Sequence, residues 1–101
     1  MPTEEQIKEW KERHGEVLCI TAGDKDYYLR KPVRAEYKRF IDTLPQSAYD
    51  ASLTLVAACL LSPSREELMQ DINLNPGLHL LLSGELQNAA GGSLAVSSKK
   101  L

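Results

Sequence analysis

Leu53-Thr54-Leu55-Val56-Ala57-Ala58-Cys59-Leu60-Leu61 is the segment on which the fold turns. A helix carrying apolar groups nearly all round is buried on several sides. The stretch from about Gln46 to Leu61 is therefore expected to be the central helix of the core. Beyond it the chain is punctuated. Ser62-Pro63-Ser64-Arg65-Glu66-Glu67-Leu68 has the form of a helix start, with Ser64 and Glu67 as a capping box. From that short helix Leu68, Met69 and Ile72 should face inward. Asn75-Pro76 then reads as the cap and first residue of a last helix. Along it Leu78, Leu81, Leu82, Leu86 and Ala89 recur at helical spacing, and Gly91-Gly92 stops it.

Upstream of the block, Lys31-Pro32 opens another helix. Its Val33, Tyr37, Phe40, Ile41 and Leu44 fall on one helical face, and Pro45 restarts the chain at a permitted first-turn position. Further back, Glu16-Val17-Leu18-Cys19-Ile20-Thr21 and Asp26-Tyr27-Tyr28-Leu29-Arg30 flank Ala22-Gly23-Asp24-Lys25. That is a β-hairpin pattern, with Gly-Asp at the turn. Two strands alone are marginal in water, so the hairpin needs a helix on one face or a further strand. At the start, Thr3-Glu4-Glu5-Gln6 is a capping box for a helix ending near His14, with Gly15 as its stop. Its apolar stripe is only Ile7 and Trp10, so it packs by an edge or waits for a partner.

The expected fold is thus α+β, mainly α: an N-terminal helix, a β-hairpin, then about four helices packed around a central apolar helix. Residues 1–92 form one globular domain, and residues 93–101, small and polar with two lysines, form a flexible tail. The chain has 101 residues, is 43% hydrophobic and 26% charged, and has a net charge of −2. This is the composition of an ordinary globular domain, with no general attraction to nucleic acid or anionic lipid. The opening residues are acidic and polar, unlike a secretory signal. The longest apolar run, Leu55–Leu61, falls far short of the roughly 20 residues a membrane helix needs. Cys19 and Cys59 are expected as buried or half-buried thiols in a reducing cytoplasm.

Catalytic chemistry is not expected. His14 and His79 lack a Cys, Asp or second His at ligand or triad spacing. Glu67 has a capping role, and Asp71 lies four residues on, on an exposed face. No cofactor or metal ligand set is expected. Two classes of surface do stand out. Arg30, Lys31, Arg34, Lys38 and Arg39 fall within ten positions, opposed by Glu36 alone. Arg34 and Lys38 share a helix face. They form either a docking surface for an acidic partner or phosphates, or a solvated helix face, which is the simpler reading. The net acidity of the chain and its aromatics on the apolar face make nucleic acid the weaker partner. Trp10, Tyr27, Tyr28 and the leucine series also exceed what so small a fold must bury, and apolar surface left over marks a protein interface. Trp10, Tyr28, Arg34, Lys38, Leu78, Leu81 and Leu82 are the partner-binding candidates.

The order of these segments resembles a known family. Tyr28-Leu29-Arg30-Lys31-Pro32 leads into Arg34-Ala35-Glu36-Tyr37-Lys38-Arg39-Phe40. An apolar helix then runs into Val56-Ala57-Ala58-Cys59-Leu60-Leu61-Ser62-Pro63-Ser64-Arg65-Glu66-Glu67-Leu68, and Asn75-Pro76-Gly77-Leu78 opens a closing helix before Gly91-Gly92. Over roughly Val17 to Gly92 this is similar to small tail assembly chaperones of long-tailed bacteriophages, especially transposable ones. The resemblance implies a non-enzymatic protein that transiently coats the tape measure protein and helps recruit tail tube subunits. It implies action in the host cell cytoplasm, absence from the mature virion, and scope for self-association. It also implies a frameshifted longer form, for which codons at Lys99-Lys100 are the place to look. Two other roles fit the residues: a minor structural protein of the tail or virion, and a small regulatory protein that binds nucleic acid through the Arg30–Arg39 face.

Overall fold

A computed structural model describes residues 2–92 and 94–101. The elements come in the order α1 (Glu4–His14), β1 (Val17–Ala22), β2 (Lys25–Arg30), α2 (Arg34–Thr43), α3 (Ala48–Cys59), β3 (Leu60–Ser62), α4 (Arg65–Leu74) and α5 (Leu78–Gln87), and all but β3 were expected. The α+β, mainly α architecture is the one expected. Helix α1 begins with the complete capping box, Gln6 N–H to Thr3 Oγ1 at 3.1 Å and Thr3 N–H to Gln6 Oε1 at 2.9 Å. It ends on Gly15 at φ 81°, a conformation that favours glycine. In the hairpin Ala22 pairs with Lys25, leaving Gly23-Asp24 as a two-residue loop. Its positive φ, 66°, falls on Gly23.

The main departure is at the end of the central helix, which stops at Cys59 instead of running to Leu61. Leu60–Ser62 forms a third strand, antiparallel to β2, with Leu29 opposite Leu60 and Tyr28 opposite Ser62. The sheet order is β1-β2-β3, so the same chain supplies the further strand that the hairpin needed. Pro63 biases the residue before it away from the α region, which favours an extended approach from the helix. Helix α3 nonetheless is the core element. Ala51, Leu55, Val56 and Cys59 are buried between α2 and α5, and Leu29, Phe40, Leu68, Ile72, Leu82 and Leu86 close around them.

Several boundaries and faces also differ. Ser47, not Gln46, starts α3, and its hydroxyl accepts from Asp50 N–H at 3.1 Å. Asn75 ends α4, its N–H donating to the Asp71 carbonyl at 2.9 Å, and Gly77 precedes α5, so Asn75-Pro76 links two helices and caps neither start. Ser64 Oγ accepts from Glu67 N–H at 3.2 Å, but the Glu67 carboxylate turns to Lys25 at 2.7 Å instead of closing a box. Val33, Ile41 and Met69 are exposed because no element covers those sides of α2 and α4. Cys59 is buried as expected, but Cys19 is exposed. A single π-type turn, Asn88–Gly92, comes after α5 and is broken at Gly91, φ 111°. Of the expected tail, Ser93 lies outside the described residues, and 94–101 carry no helix or strand.

Candidate functional site

The hairpin tip and the α4–α5 corner enclose a cleft of about 890 Å³. Ala22 to Lys25 and Tyr27 form one wall. Asp71, Leu74, Leu78 and Leu81 form the other, with Asn75-Pro76-Gly77 between them. The local sequence explains the shape. The two-residue turn projects the tip beyond the sheet, and the break at Asn75 turns the chain so that the end of α4 and the start of α5 meet the tip. The apolar groups at this corner are left without cover. Leu74 is 80% exposed and Leu81 69%, whereas Leu78 is 7% exposed and forms the cleft's floor.

A polar cluster holds the two walls together. Lys25 Nζ lies 2.8 Å from Asp71 Oδ2 and 2.7 Å from Glu67 Oε2. The Tyr27 hydroxyl donates to the same Asp71 oxygen at 2.8 Å, and the Lys25 ammonium stands 5.8 Å from the Tyr27 ring centre. The hydrogen bond to Asp71, then that to Glu67, holds the Lys25 ammonium above the ordinary lysine range. The Tyr27 phenol is pushed up to about 12, first by burial and then by its bond to Asp71. Asp71 is held below the ordinary carboxylate range by Lys25. At neutral pH this leaves Lys25 charged, Tyr27 protonated and Asp71 ionised, which suits a clasp rather than proton transfer. Asp71 is thus not the exposed helix-face residue expected from its spacing. Its partners lie 44 and 46 positions away, and no local pattern marks such a contact.

The partner-binding candidates fall into four places. Leu78 and Leu81 line the cleft. Leu82, next to them in sequence, is fully buried, so its expected place on a partner surface is corrected to the core. On α5 the inward row is Leu78, Leu82 and Leu86, four apart, with His79 and Ser83 beside it. Trp10 and Tyr28 come together elsewhere, on the opposite face of the sheet from Tyr27 and Leu29. Their ring centres are 6.0 Å apart and inclined by 43°. Helix α1 has no fully buried residue, so this aromatic pair is its main anchor.

Arg34 and Lys38 are exposed on α2, but the basic run around them is largely paired. Arg30 grips Glu36 with two hydrogen bonds of 2.8 and 2.6 Å and donates to the Ala58 carbonyl at 2.9 Å. Lys38 meets Asp42 at 2.6 Å and Lys31 meets Glu16 at 3.9 Å. Among the described residues only Arg34 and Arg39 of the five lack an ion pair. Such a face is a poor phosphate track. Among the described residues no group of three or more His, Cys, Asp or Glu is placed to hold a metal ion, and no helix is long and apolar enough to cross a membrane.

These elements define a small, mainly helical α+β domain whose distinctive surface is an apolar cleft at the tip of a three-stranded antiparallel sheet. The chain belongs to the family described as Domain of unknown function (DUF6848), whose pattern it matches over residues 10–99. It is similar in structure to the uncharacterised protein rbstp2171 from Bacillus stearothermophilus, with a TM-score of 0.77 and 27% identity over 92% of this chain and 99% of that one. No curated protein sequence matches the chain.

Proposed function

We propose that this protein is a bacteriophage tail assembly chaperone that transiently holds apolar helical segments of the tape measure protein in the cleft between the hairpin tip and the α4–α5 corner. The observation that carries the reading is the pair Leu74 and Leu81, both more than two-thirds exposed on one cleft above the buried edge of Leu78. An amphipathic helix lays its apolar face into such a groove. Two exposed leucines make a weak site for one helix. Many copies along one long filament gain by multivalency and still leave readily, as a protein absent from the finished virion must. Recruitment of tail tube subunits is assigned to a separate surface, with the exposed Arg34 of α2, beside Lys38 and its ion pair to Asp42, available for an acidic partner.

This reading has a direct structural test. Isotope-labelled protein titrated with an apolar helical peptide from the tape measure protein should show amide shift changes at Leu74, Leu78 and Leu81. Changes confined to α2, or to the Trp10–Tyr28 face, would place the binding surface elsewhere.

A further inference from the structure

The outer edge of the sheet is open. Lys31 N–H donates to the Glu16 carbonyl at 3.3 Å, which fixes the alternation of the hairpin ladder. Leu18, Ile20 and Ala22 then face β2 with their backbone groups, while those of Val17, Cys19 and Thr21 point off the edge. No backbone group outside the hairpin bonds them among the described residues. Edge strands are ordinarily guarded by charge, proline, bulges or brevity. β3 is three residues long and followed by Pro63. β1 is six residues, Val17-Leu18-Cys19-Ile20-Thr21-Ala22, with no charge and no proline.

The same chain carries a segment of strand-like alternation that no strand pairs among the described residues. Leu94-Ala95-Val96-Ser97-Ser98 alternates apolar and small residues, and Leu94 and Val96 are 74% and 90% exposed. The family pattern extends through residue 99, so this segment lies within the matched domain. We propose that residues 94–98 of one copy add as an antiparallel strand to the β1 edge of a second copy. Five residues at about 3.3 Å each span most of β1. With Ala95 and Ser97 bonding to the edge opposite Thr21 and Cys19, Leu94 and Val96 fall on the inner face beside Ala22 and Ile20, which already pack on the core. The second copy is favoured over the chain's own edge by direction. Leu94 leaves the body beside Glu16 and Leu18, the start of β1. A chain's own tail would thus run parallel to β1, and the slightly stronger antiparallel ladder is open only to an incoming one. The contact is head-to-tail, so it links copies in series, whatever the cleft holds.

Cys19 provides the test, since it is exposed at the centre of this edge and Cys59 is buried. Full-length Ser97→Cys, mildly oxidised, should give covalent dimers and longer chains joining Cys19 of one copy to the introduced thiol of the next. Directly opposed strand residues lie within disulfide reach. Val96→Cys, facing the other side of the sheet, should stay monomeric, and Cys19→Ser should abolish the mapped 19–97 bond. Cross-linking of Val96→Cys as readily as Ser97→Cys would show a tail without strand register. A 19–97 bond within one chain, a Cys19–Cys19 dimer formed regardless of the tail, or no cross-link at all would each overturn the proposal.

Discussion

Lys25 at the hairpin tip and Asp71 in α4 stand 2.8 Å apart, and Tyr27 donates to the same carboxylate oxygen. One carboxylate therefore ties the sheet to the helical layer at the mouth of the cleft. The distance between the cleft's walls is set by this clasp, and it is the part of the site that polar substitutions address.

Asp71→Asn keeps the side chain's shape and removes its charge. Because Lys25 is partly exposed and shared with Glu67, the expected loss of stability is modest, about 1 kcal/mol by urea titration. The Tyr27 phenol, pushed up to about 12 in the native protein, should titrate lower but stay above its ordinary 10, because burial is the larger cause. An unchanged phenol titration by ultraviolet absorbance would contradict the bond.

Arg30 joins β2 to α2 through Glu36 and to the end of α3 through the Ala58 carbonyl. Both side chains of the pair are mostly shielded. Arg30→Ala leaves Glu36 and that carbonyl without their donor and should cost about 2–3 kcal/mol in thermal or urea melts. Arg30→Lys should recover only part of this, since an ammonium cannot bond both oxygens side by side. Full recovery by lysine would mean that charge alone matters there.

Leu55 and Leu60 look equivalent in sequence and differ in the fold. Leu55 is buried in α3, and Leu60 is half-buried at the start of β3. Leu55→Asp should unfold the domain, because a buried unpaired carboxylate costs several kcal/mol, comparable with total stability. Leu60→Asp should lower the melting temperature yet leave a cooperative transition. The reverse order by circular dichroism would place the helix boundary wrongly.

His79 is fully buried, its ring 4.6 Å from that of Tyr49 in an edge-on contact, and neither ring nitrogen has a protein partner among the described residues. Burial lowers its pKa below the ordinary 6.5. The unfolded chain then takes up a proton first as pH falls. His79's contribution is complete above pH 6.5 and declines as pH drops from there to the folded value. Asp71 and Glu36, both held low by their cationic partners, add losses only in the carboxylate range, near pH 4 and below. His79→Leu should flatten the slope just below pH 6.5 and match or exceed native stability at neutral pH, since it removes buried polar atoms left unpaired. An unchanged pH slope would show that another group titrates.

The features legible in the sequence were local. Thr3, Ser64 and Gly15 announce helix ends through side-chain and φ requirements that act over a few residues, and the hairpin turn is read the same way. Leu60 and Leu61 were not legible as a strand, because they continue an apolar run and only pairing with Tyr28 and Leu29 makes them one. Leu81 and Leu82 are chemically identical neighbours, and only the packing of α5 on α3 separates the exposed one from the buried one. The cleft's leucines could be suspected from their surplus. Its clasp could not, since Asp71 meets Lys25 across 46 positions.

The central claim is that the Leu74–Leu81 cleft keeps a tape measure protein soluble. The most direct measurement is co-expression of that protein with this chain and with the double variant Leu74→Asp/Leu81→Asp. Both positions are exposed, so the variant should melt as the native protein does. If the cleft holds the tape measure protein, that protein should be soluble with the native chain and insoluble with the variant. Equal solubility with both, or insolubility with the native chain, would contradict it.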